Sequence, residues 1–220
     1  MKTLQVHGKG KEYIVGKILC LGRNYVEHAQ EMQSEIPNVP IVFIKPSTAI
    51  INSDEDIIIP KISQQLHHEV ELIVAIAKEG KNISSEQALE YVLGYGVGLD
   101  MTLRDIQTEA KKKGLPWSVA KGFDTSAPIS DIIAASKIKN PQDLRFRCKV
   151  NGTVRQETTT SKMIFPIEKI IEYLSSIFTL EPGDLIFTGT PEGAGEVKTR
   201  DIIEAELVGY TSIRHRVRTA

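Results

Sequence analysis

Two glutamates separated by one residue, Glu69 and Glu71, open an apolar segment that is typical of a β-strand over residues 70–77. Side chains alternate faces along a strand, so both carboxylates point the same way at its start. Close like charges at the edge of a core lose hydration and repel each other. A hard divalent cation between them would relieve both effects, whereas the simplest alternative is a solvated acidic strand end.

A third acid, Asp100, ends a second apolar segment that is punctuated by glycines. An unpaired acid is costly there, so Asp100 joins Glu69 and Glu71 as a candidate metal ligand. A site made only of carboxylates favours Mg²⁺, Mn²⁺ or Ca²⁺ over zinc, which prefers imidazole and thiolate. His67 and His68 precede the first glutamate, so zinc stays open, with a supporting hydrogen-bonding role as the alternative for this pair.

His28 and Glu31 are three residues apart in a predicted helix over residues 24–33, so they share one face. A carboxylate one turn from an imidazole raises its basicity and fixes its tautomer, as acid–base catalysis requires. Pairs at this spacing are also common on helix surfaces. Lys121, in a glycine-flanked loop after Trp117, is a further charged candidate, and a surface lysine is its simplest explanation.

Other chemistries find little support in the sequence. The glycine-rich loop Gly189-Thr190-Pro191-Glu192-Gly193-Ala194-Gly195 fits neither common phosphate-binding pattern, and Pro191 removes an amide donor. The sequence contains neither G-x-S-x-G nor H-E-x-x-H, so serine-hydrolase and zinc-protease signatures are missing.

The composition is that of an ordinary globular protein: 220 residues, 41% hydrophobic and 25% charged. The net charge of -1 predicts no nucleic-acid partner, and the basic run 111–113 is typical of a solvated helix end. Cys20 and Cys148 lack metal-ligand spacing and are expected to be reduced thiols. We find no targeting signal and no apolar run of membrane length, so we expect a cytoplasmic protein without a membrane partner.

The elements that must position these residues are mostly strands. Residues 4–6 and 13–15 flank Gly8-Lys9-Gly10 and predict a hairpin, and Asn151-Gly152 predicts a second one. Asn24 and Thr102 are candidate helix caps, the second for a helix that ends near Gly114. Pro166 is placed at the first position of a helix with one apolar stripe.

Numerous strands and few helices, without regular βαβ alternation, favour an α+β fold with a large mixed or antiparallel sheet. We find no linker or repeat. The sequence therefore predicts one catalytic domain over residues 1–220, in which residues 1–15 form an N-terminal hairpin or extension.

Taken together, the chemical candidates lie in short motifs that resemble those of the fumarylacetoacetate hydrolase family. The motifs occur in order over residues 15–218 and are Leu21-Gly22-Arg23-Asn24-Tyr25, His28 with Glu31, Phe43-Ile44-Lys45-Pro46-Ser47-Thr48-Ala49, His68-Glu69-Val70-Glu71-Leu72, Gly98-Leu99-Asp100-Met101-Thr102, Lys112-Lys113-Gly114-Leu115-Pro116-Trp117, Ala120-Lys121 and Gly189-Thr190-Pro191-Glu192-Gly193. Each motif is weak alone, and their ordered set is specific. The chain most resembles the short acylpyruvases and oxaloacetate decarboxylases of the family.

The resemblance implies a mixed β-roll with flanking helices, usually assembled as a homodimer. It implies Mg²⁺ or Mn²⁺ held by Glu69, Glu71 and Asp100. The catalytic residues that it implies are His28, Glu31 and Lys121. The residues that it places at the substrate are Arg23, Arg104, Gln107 and Thr190, with Arg23 and Lys45 also supporting the His–Glu dyad.

The activity implied by the resemblance is hydrolysis of a C–C bond in acylpyruvates, small 2-oxo acids, to pyruvate and a carboxylic acid. Oxaloacetate decarboxylation or tautomerisation on the same site is a further expectation. The alternatives are isomerisation or hydration of 2-oxo acids from aromatic degradation, and a non-catalytic metal or metabolite binder. The sequence lacks the additional N-terminal domain of the long family members, which argues against fumarylacetoacetate itself as the substrate.

Overall fold

The computed structural model describes residues 1–7, 12–31 and 35–220. The strands in chain order are β1 (Thr3–His7), β2 (Glu12–Ile14), β3 (Ile18–Gly22), β4 (Ile41–Lys45), β5 (Ile50–Ile51), β6 (Ile57–Ile59), β7 (Leu66–His68), β8 (Val70–Ile76), β9 (Val92–Leu99), β10 (Thr102–Leu103), β11 (Ala127–Pro128), β12 (Ile132–Ala134), β13 (Arg145–Val150), β14 (Thr153–Thr159), β15 (Leu185–Phe187), β16 (Gly195–Val197), β17 (Ile202–Leu207) and β18 (Thr211–Thr219). The α-helices are α1 (Val26–Glu31), α2 (Arg104–Lys113), α3 (Ser118–Lys121) and α4 (Ile167–Ile177). Single 3₁₀ turns lie at Ser47–Ala49, Ala88–Tyr91, Ala135–Lys137 and Thr160–Lys162.

Two sheets dominate the fold. The larger has the strand order β2-β1-β12-β9-β8-β15-β3-β4, and the second has the order β14-β13-β17-β18-β6. Within these two sheets most neighbours are antiparallel, while β1 with β12, β15 with β3, and β18 with β6 are parallel. Two short sheets, β10-β7-β16 and β11-β5, complete the arrangement. The prediction of an α+β fold built on a mixed sheet is confirmed.

Strand β8 crosses the centre of the molecule with every residue buried. Leu72, Val74 and Ile76 belong to one hydrophobic cluster, while Ile73 and Ala75 belong to the cluster on the opposite face. Burial on both faces explains why the apolar residues of this strand run continuously instead of alternating with polar ones. The acidic start of the strand is therefore held by a core on either side.

Glycines of β9 let other backbone segments approach β8. Gly98 pairs with Glu71 across the two strands. A Cβ atom added at Gly98 would lie 2.8 Å from the carbonyl oxygen of Pro128 and 2.8 Å from Cδ1 of Ile73. The absence of a side chain at Gly98 therefore lets the backbone at Pro128 lie close to β9, beside the acidic start of β8.

Both predicted hairpins form. Strands β1 and β2 pair antiparallel, although the turn residues 8–11 lie outside the described ranges. Strands β13 and β14 pair around Asn151 and Gly152, whose φ angles of 52° and 79° are those of a two-residue hairpin turn. Helix α4 begins immediately after Pro166, one residue later than predicted.

The two predicted side-chain caps are wrong. Helix α1 begins at Val26, and Asn24 instead donates to the carbonyl oxygen of Thr188 at 2.8 Å and accepts from the amide of Phe165 at 2.7 Å. The end of the predicted helix, at Gln33, lies outside the described residues. Thr102 lies in strand β10, and α2 begins two residues later without a side-chain cap. Its predicted end at Gly114, which has a left-handed φ of 64°, is confirmed.

No helix in the described ranges combines the length and the apolar character that crossing a bilayer demands.

Replacement of Gly98 by alanine should lower the free energy of unfolding by about 1–3 kcal/mol, because a buried carbonyl oxygen must move to admit the methyl group. Urea denaturation followed by circular dichroism measures the change. Gly22→Ala is the matched control, since the nearest atom to its added Cβ is 3.7 Å away. Equal stability of the two variants would contradict the close approach at Gly98.

Candidate active site

Three buried acids converge where β8 begins and β9 ends. Val70 pairs with Leu99 in the antiparallel register, and the amide of Asp100 donates to the carbonyl oxygen of Glu69 at 2.8 Å. One carboxylate oxygen from each of Glu69, Glu71 and Asp100 lies within 4.8 Å of the other two. The two strands therefore bring together the three acids that were predicted from sequence.

Lys121, at the end of α3, lies among these acids. Its Nζ is 2.7 Å from Oε2 of Glu69 and 2.5 Å from Oδ2 of Asp100, and it donates to the hydroxyl of Thr102 at 2.7 Å. The side chain is buried, so the simple explanation of Lys121 as a surface lysine is wrong. Burial alone would lower the pKa of its ammonium, but the Asp100 and Glu69 carboxylates raise that pKa above its ordinary value.

Two further cations compensate the same acids. Arg104, the first residue of α2, forms an ion pair with Oε1 of Glu69. Lys45 is fully buried, with its Nζ 2.8 Å from Oδ1 of Asp100, and it donates to the carbonyl oxygens of Met101, Lys121 and Ser126. The structure therefore places Lys45 against Asp100 rather than against the dyad.

The three carboxyl groups differ in how well they are compensated. Burial would raise the pKa of Glu69, but the positive charges of Lys121 and Arg104 hold it well below its usual range. Burial raises the pKa of Glu71 well above its usual value, and the nearby Asp100 carboxylate raises it further. The Gly189 amide, which donates to Oε2 of Glu71 at 2.6 Å, offsets only part of this.

This donor set fits a hard dication. All three groups offer carboxylate oxygens at short mutual distance, and a bound dication would favour the charged form of Glu71, which its neighbours disfavour. Within the described ranges no histidine joins this cluster. His68 instead lies with Nδ1 3.0 Å from the side-chain oxygen of Gln156, so the structure gives no support to the zinc alternative.

The His28–Glu31 pair faces the same space from α1. His28 is buried, and its Nδ1 is 3.4 Å from Oε2 of Glu31. The same carboxylate accepts the amide of Gly193 at 3.1 Å, which fixes its position. A proton held on Nδ1 toward Glu31 would leave Nε2 of His28 free to accept another proton.

One cavity collects nearly all the predicted site residues. Its lining includes Arg23, His28, Glu69, Glu71, Asp100, Arg104, Gln107, Lys121 and Thr190. Glu31 contacts one of these lining residues, His28, through its carboxylate. Gln107 accepts from Arg104 at 2.6 Å, and the hydroxyl of Thr190 donates to the carbonyl oxygen of Val70 at 2.8 Å, so both side chains are held by the protein.

Gln156 is a residue of this site that the sequence gave no reason to select. Its buried side-chain oxygen accepts the amide of Val70 at 3.0 Å, while its Nε2 donates to Thr190 Oγ1 and to the carbonyl oxygen of Pro191, both at 2.9 Å. One amide on β14 thus ties the acidic strand to the glycine-rich loop. A polar residue in an edge strand after a hairpin carries no chemical pattern, so no signal in the sequence would have found it.

The comparison with protein families matches residues 17–218 to the model described as fumarylacetoacetate (FAA) hydrolase, C-terminal. The chain belongs to this family of enzymes. It is 50% identical over 201 residues to the mitochondrial oxaloacetate tautomerase FAHD1 of Mus musculus, a match that covers 91% of each chain. It is 46% identical over 194 residues to the mitochondrial oxaloacetate decarboxylase of Dictyostelium discoideum, with 88% of this chain and 89% of that protein covered.

Solved structures show the same fold. The fumarylpyruvate hydrolase of Pseudomonas aeruginosa, in complex with Mn²⁺ and pyruvate, superposes with a TM-score of 0.95 at 37% identity and covers all of this chain and 96% of its own. The 5-carboxymethyl-2-hydroxymuconate delta-isomerase of Mycobacterium smegmatis has a TM-score of 0.84 at 34% identity, with 96% and 86% covered. The expected family membership is thus confirmed, and the named relatives include hydrolases, a decarboxylase, tautomerases and an isomerase.

Asp100→Asn should weaken Mn²⁺ binding by at least about 10- to 100-fold, because even the loss of a group that only supports a metal ligand has effects of this size. Isothermal titration calorimetry of the purified protein with MnCl₂ measures the dissociation constant. Asp131→Asn, at an exposed acid away from the cavity, is the control and should bind Mn²⁺ like the unaltered chain. An unchanged dissociation constant in Asp100→Asn would remove Asp100 from the set of metal ligands.

Proposed function

We propose that this chain is a divalent-metal-dependent hydrolase that cleaves acylpyruvates into pyruvate and a carboxylic acid. The observation that carries the proposal is the opposition, across one cavity, of the His28–Glu31 pair and the three buried acids. The His28–Glu31 pair can activate water, and the three acids can hold a cation that binds a 2-oxo acid. The hydrolase of Pseudomonas aeruginosa with Mn²⁺ and pyruvate supports the same reading.

The proposed ligands of Mg²⁺ or Mn²⁺ are Glu69, Glu71 and Asp100. When bound, the ion would attract the carboxylate and 2-oxo oxygens of the substrate and stabilise negative charge that develops on them. Arg104, held by Glu69 and Gln107, lies on the cavity wall where a substrate carboxylate would pass. We assign it, with Gln107 and Thr190, to substrate positioning.

His28 is the proposed general base. With Glu31 beside Nδ1, Nε2 accepts a proton from a water molecule, which attacks the distal acyl carbonyl carbon of the substrate. The bond between that carbonyl carbon and the adjoining methylene carbon then breaks, and its electron pair passes into the pyruvate fragment as an enolate. The ammonium of Lys121 stabilises this negative charge, and the proton returned by His28 to the methylene carbon gives pyruvate.

Decarboxylation or tautomerisation of oxaloacetate is a second candidate activity, favoured by the names of the mouse and Dictyostelium relatives. Loss of CO₂ from oxaloacetate produces the same enolate, which Lys121 can stabilise in the same way. This reaction needs no activated water. Both activities therefore depend equally on the three acids of the cavity. Hydrolysis depends on His28 far more than decarboxylation does.

Three further features stay predictions. We propose that residues 1–220 form one catalytic domain, that two copies assemble as a homodimer, and that the protein acts in the cytoplasm. The family match over residues 17–218 supports the first of these. The names of several relatives carry the word mitochondrial, and fluorescence microscopy of the tagged chain distinguishes the two compartments.

His28→Asn should lower kcat for acetylpyruvate hydrolysis by about 10²- to 10⁴-fold, the usual contribution of a general base. Oxaloacetate decarboxylation should fall much less, since no water molecule is activated. Both reactions can be followed as pyruvate release with lactate dehydrogenase and NADH, in the presence of Mn²⁺.

The matched control is Glu27→Gln, which alters an exposed residue of the same helix that lies 3.7 Å from Nζ of Lys162. It should retain full hydrolysis, and Mn²⁺ affinity should be unchanged in both variants. Hydrolysis that persists in His28→Asn would show that this imidazole is not the base.

A further inference from the structure

The orientation of the Gln156 side-chain amide is fixed by two backbone groups. Its Oε1 accepts the amide of Val70 at 3.0 Å, and a backbone N–H can only donate. Its Nε2 lies 2.9 Å from the carbonyl oxygen of Pro191, which can only accept. The oxygen and the nitrogen of this amide therefore cannot exchange places, and the second proton of Nε2 is directed to the hydroxyl of Thr190 at 2.9 Å.

This orientation determines how Thr190 uses its own hydroxyl. Its Oγ1 accepts from Gln156 and donates its proton to the carbonyl oxygen of Val70 at 2.8 Å. A hydroxyl has one proton and two lone pairs, so one lone pair of Oγ1 is left for a further partner. The buried Thr190 lines the cavity. Toward the cavity it is therefore a hydrogen-bond acceptor, which suits an O–H donor and does not suit a carboxylate oxygen.

The glycine-rich loop that carries Thr190 contacts both groups of functional side chains. One residue earlier in the loop, the Gly189 amide donates to Oε2 of Glu71 at 2.6 Å. Three residues later, the Gly193 amide donates to Oε2 of Glu31 at 3.1 Å. Thr190 therefore lies on a short segment that joins the acids of the cavity to the carboxylate beside the proposed base.

The cavity thus contains two neutral acceptors that can serve one water molecule. They are Nε2 of His28, which is free when Nδ1 holds its proton toward Glu31, and Oγ1 of Thr190. A water molecule has two protons to donate. When both are donated, its lone pairs point away from the two acceptors, toward the carbon atom that it attacks. Such orientation of a reactant is a large part of enzymatic rate enhancement.

We propose that Thr190 orients the water molecule that His28 activates, and that Gln156 is the positioning residue that keeps the Thr190 hydroxyl an acceptor. One proton of the water passes to Nε2 of His28 while the water oxygen forms a bond to the acyl carbonyl carbon. The second proton stays on that oxygen, is donated to Oγ1 of Thr190, and leaves with the carboxylic acid product. This inference rests on the proposed hydrolysis, and it narrows the positioning role of Thr190 to one reactant, water.

The two candidate reactions separate this role from general support of the cavity. Hydrolysis of acetylpyruvate needs an oriented water molecule, whereas decarboxylation of oxaloacetate does not. Both are measured as pyruvate release with lactate dehydrogenase and NADH in the presence of Mn²⁺, after subtraction of the rate without protein. The ratio of the two kcat values therefore reports on the water molecule alone.

Thr190→Val should lower the ratio of hydrolysis to decarboxylation by about 10- to 100-fold, because a reactant displaced by about 1 Å loses a factor of this size. The loss should appear in kcat for hydrolysis and not in KM, since the keto acid keeps its own contacts. Thr190→Ser retains the hydroxyl and should restore most of the ratio.

Gln156→Met should lower the same ratio, though less than Thr190→Val does, because the hydroxyl remains but can turn its proton toward the cavity. Gln142→Met is the matched control. Gln142 also holds two backbone groups, since it accepts the amide of Ile167 at 3.0 Å and donates to the carbonyl oxygen of Thr160 at 3.3 Å. It is not among the described residues that line the cavity, so its replacement should leave the ratio unchanged.

A crystal structure of the unaltered chain grown with MnCl₂ provides a readout that is independent of turnover. It should show a water molecule within hydrogen-bond distance, about 2.6–3.2 Å, of both Nε2 of His28 and Oγ1 of Thr190. Crystals of Thr190→Val should lack a water molecule at that position.

An unchanged ratio in Thr190→Val, or an equal fall of both reactions, would overturn the proposal. So would a ratio that falls as far in Gln142→Met as in Gln156→Met, or a water molecule in the crystal that contacts His28 without Thr190. An unaltered chain that hydrolyses neither acetylpyruvate nor fumarylpyruvate would overturn the proposed function. The crystal structure would then still decide whether Thr190 and His28 bind one water molecule between them.

Discussion

The structure depends on the balance between three buried carboxylates and the three cations that contact them, of which Lys45 and Lys121 are buried and Arg104 is partly exposed. Glu69, Glu71 and Asp100 lie in the core at the junction of β8 and β9, where an uncompensated charge would be prohibitive. Lys45, Arg104 and Lys121 come from three different elements to meet them. Removing one partner from a buried ion pair typically costs about 3–5 kcal/mol, so these charges also fix how the elements pack against one another.

The three carboxylates are not neutralised equally by their neighbours. This difference would assist binding of a metal ion. Glu69 is held by Lys121 and Arg104, while Glu71 depends on one backbone amide. The acid with the fewest partners has the most to gain from a dication. In the proposed metal site, the fixed cations would hold the fold together, and Glu71 would favour binding of the ion.

Much of this could be predicted from the sequence, because the pattern of β8 and β9 contains the information. Period-two alternation placed Glu69 and Glu71 on one face, and an acid at the end of an apolar strand marked Asp100. The caps at Asn24 and Thr102 were wrong because both side chains are used by distant segments, Thr188 and Lys121, which local patterns do not reveal. Gln156 was missed for the same reason: its importance lies in tertiary contacts of a residue type that is ordinary on surfaces.

The two halves of the cavity are built very differently. The acids lie on the central strands of the largest sheet, whereas His28 lies on the six-residue helix α1, joined to the rest through Gly193 and the neighbouring Asn24. A substitution in that short segment can change the reaction without disturbing the inner charges. Divergence within such a scaffold is therefore easiest outside the sheet, which is consistent with one architecture that is named a hydrolase in one relative and an isomerase in another.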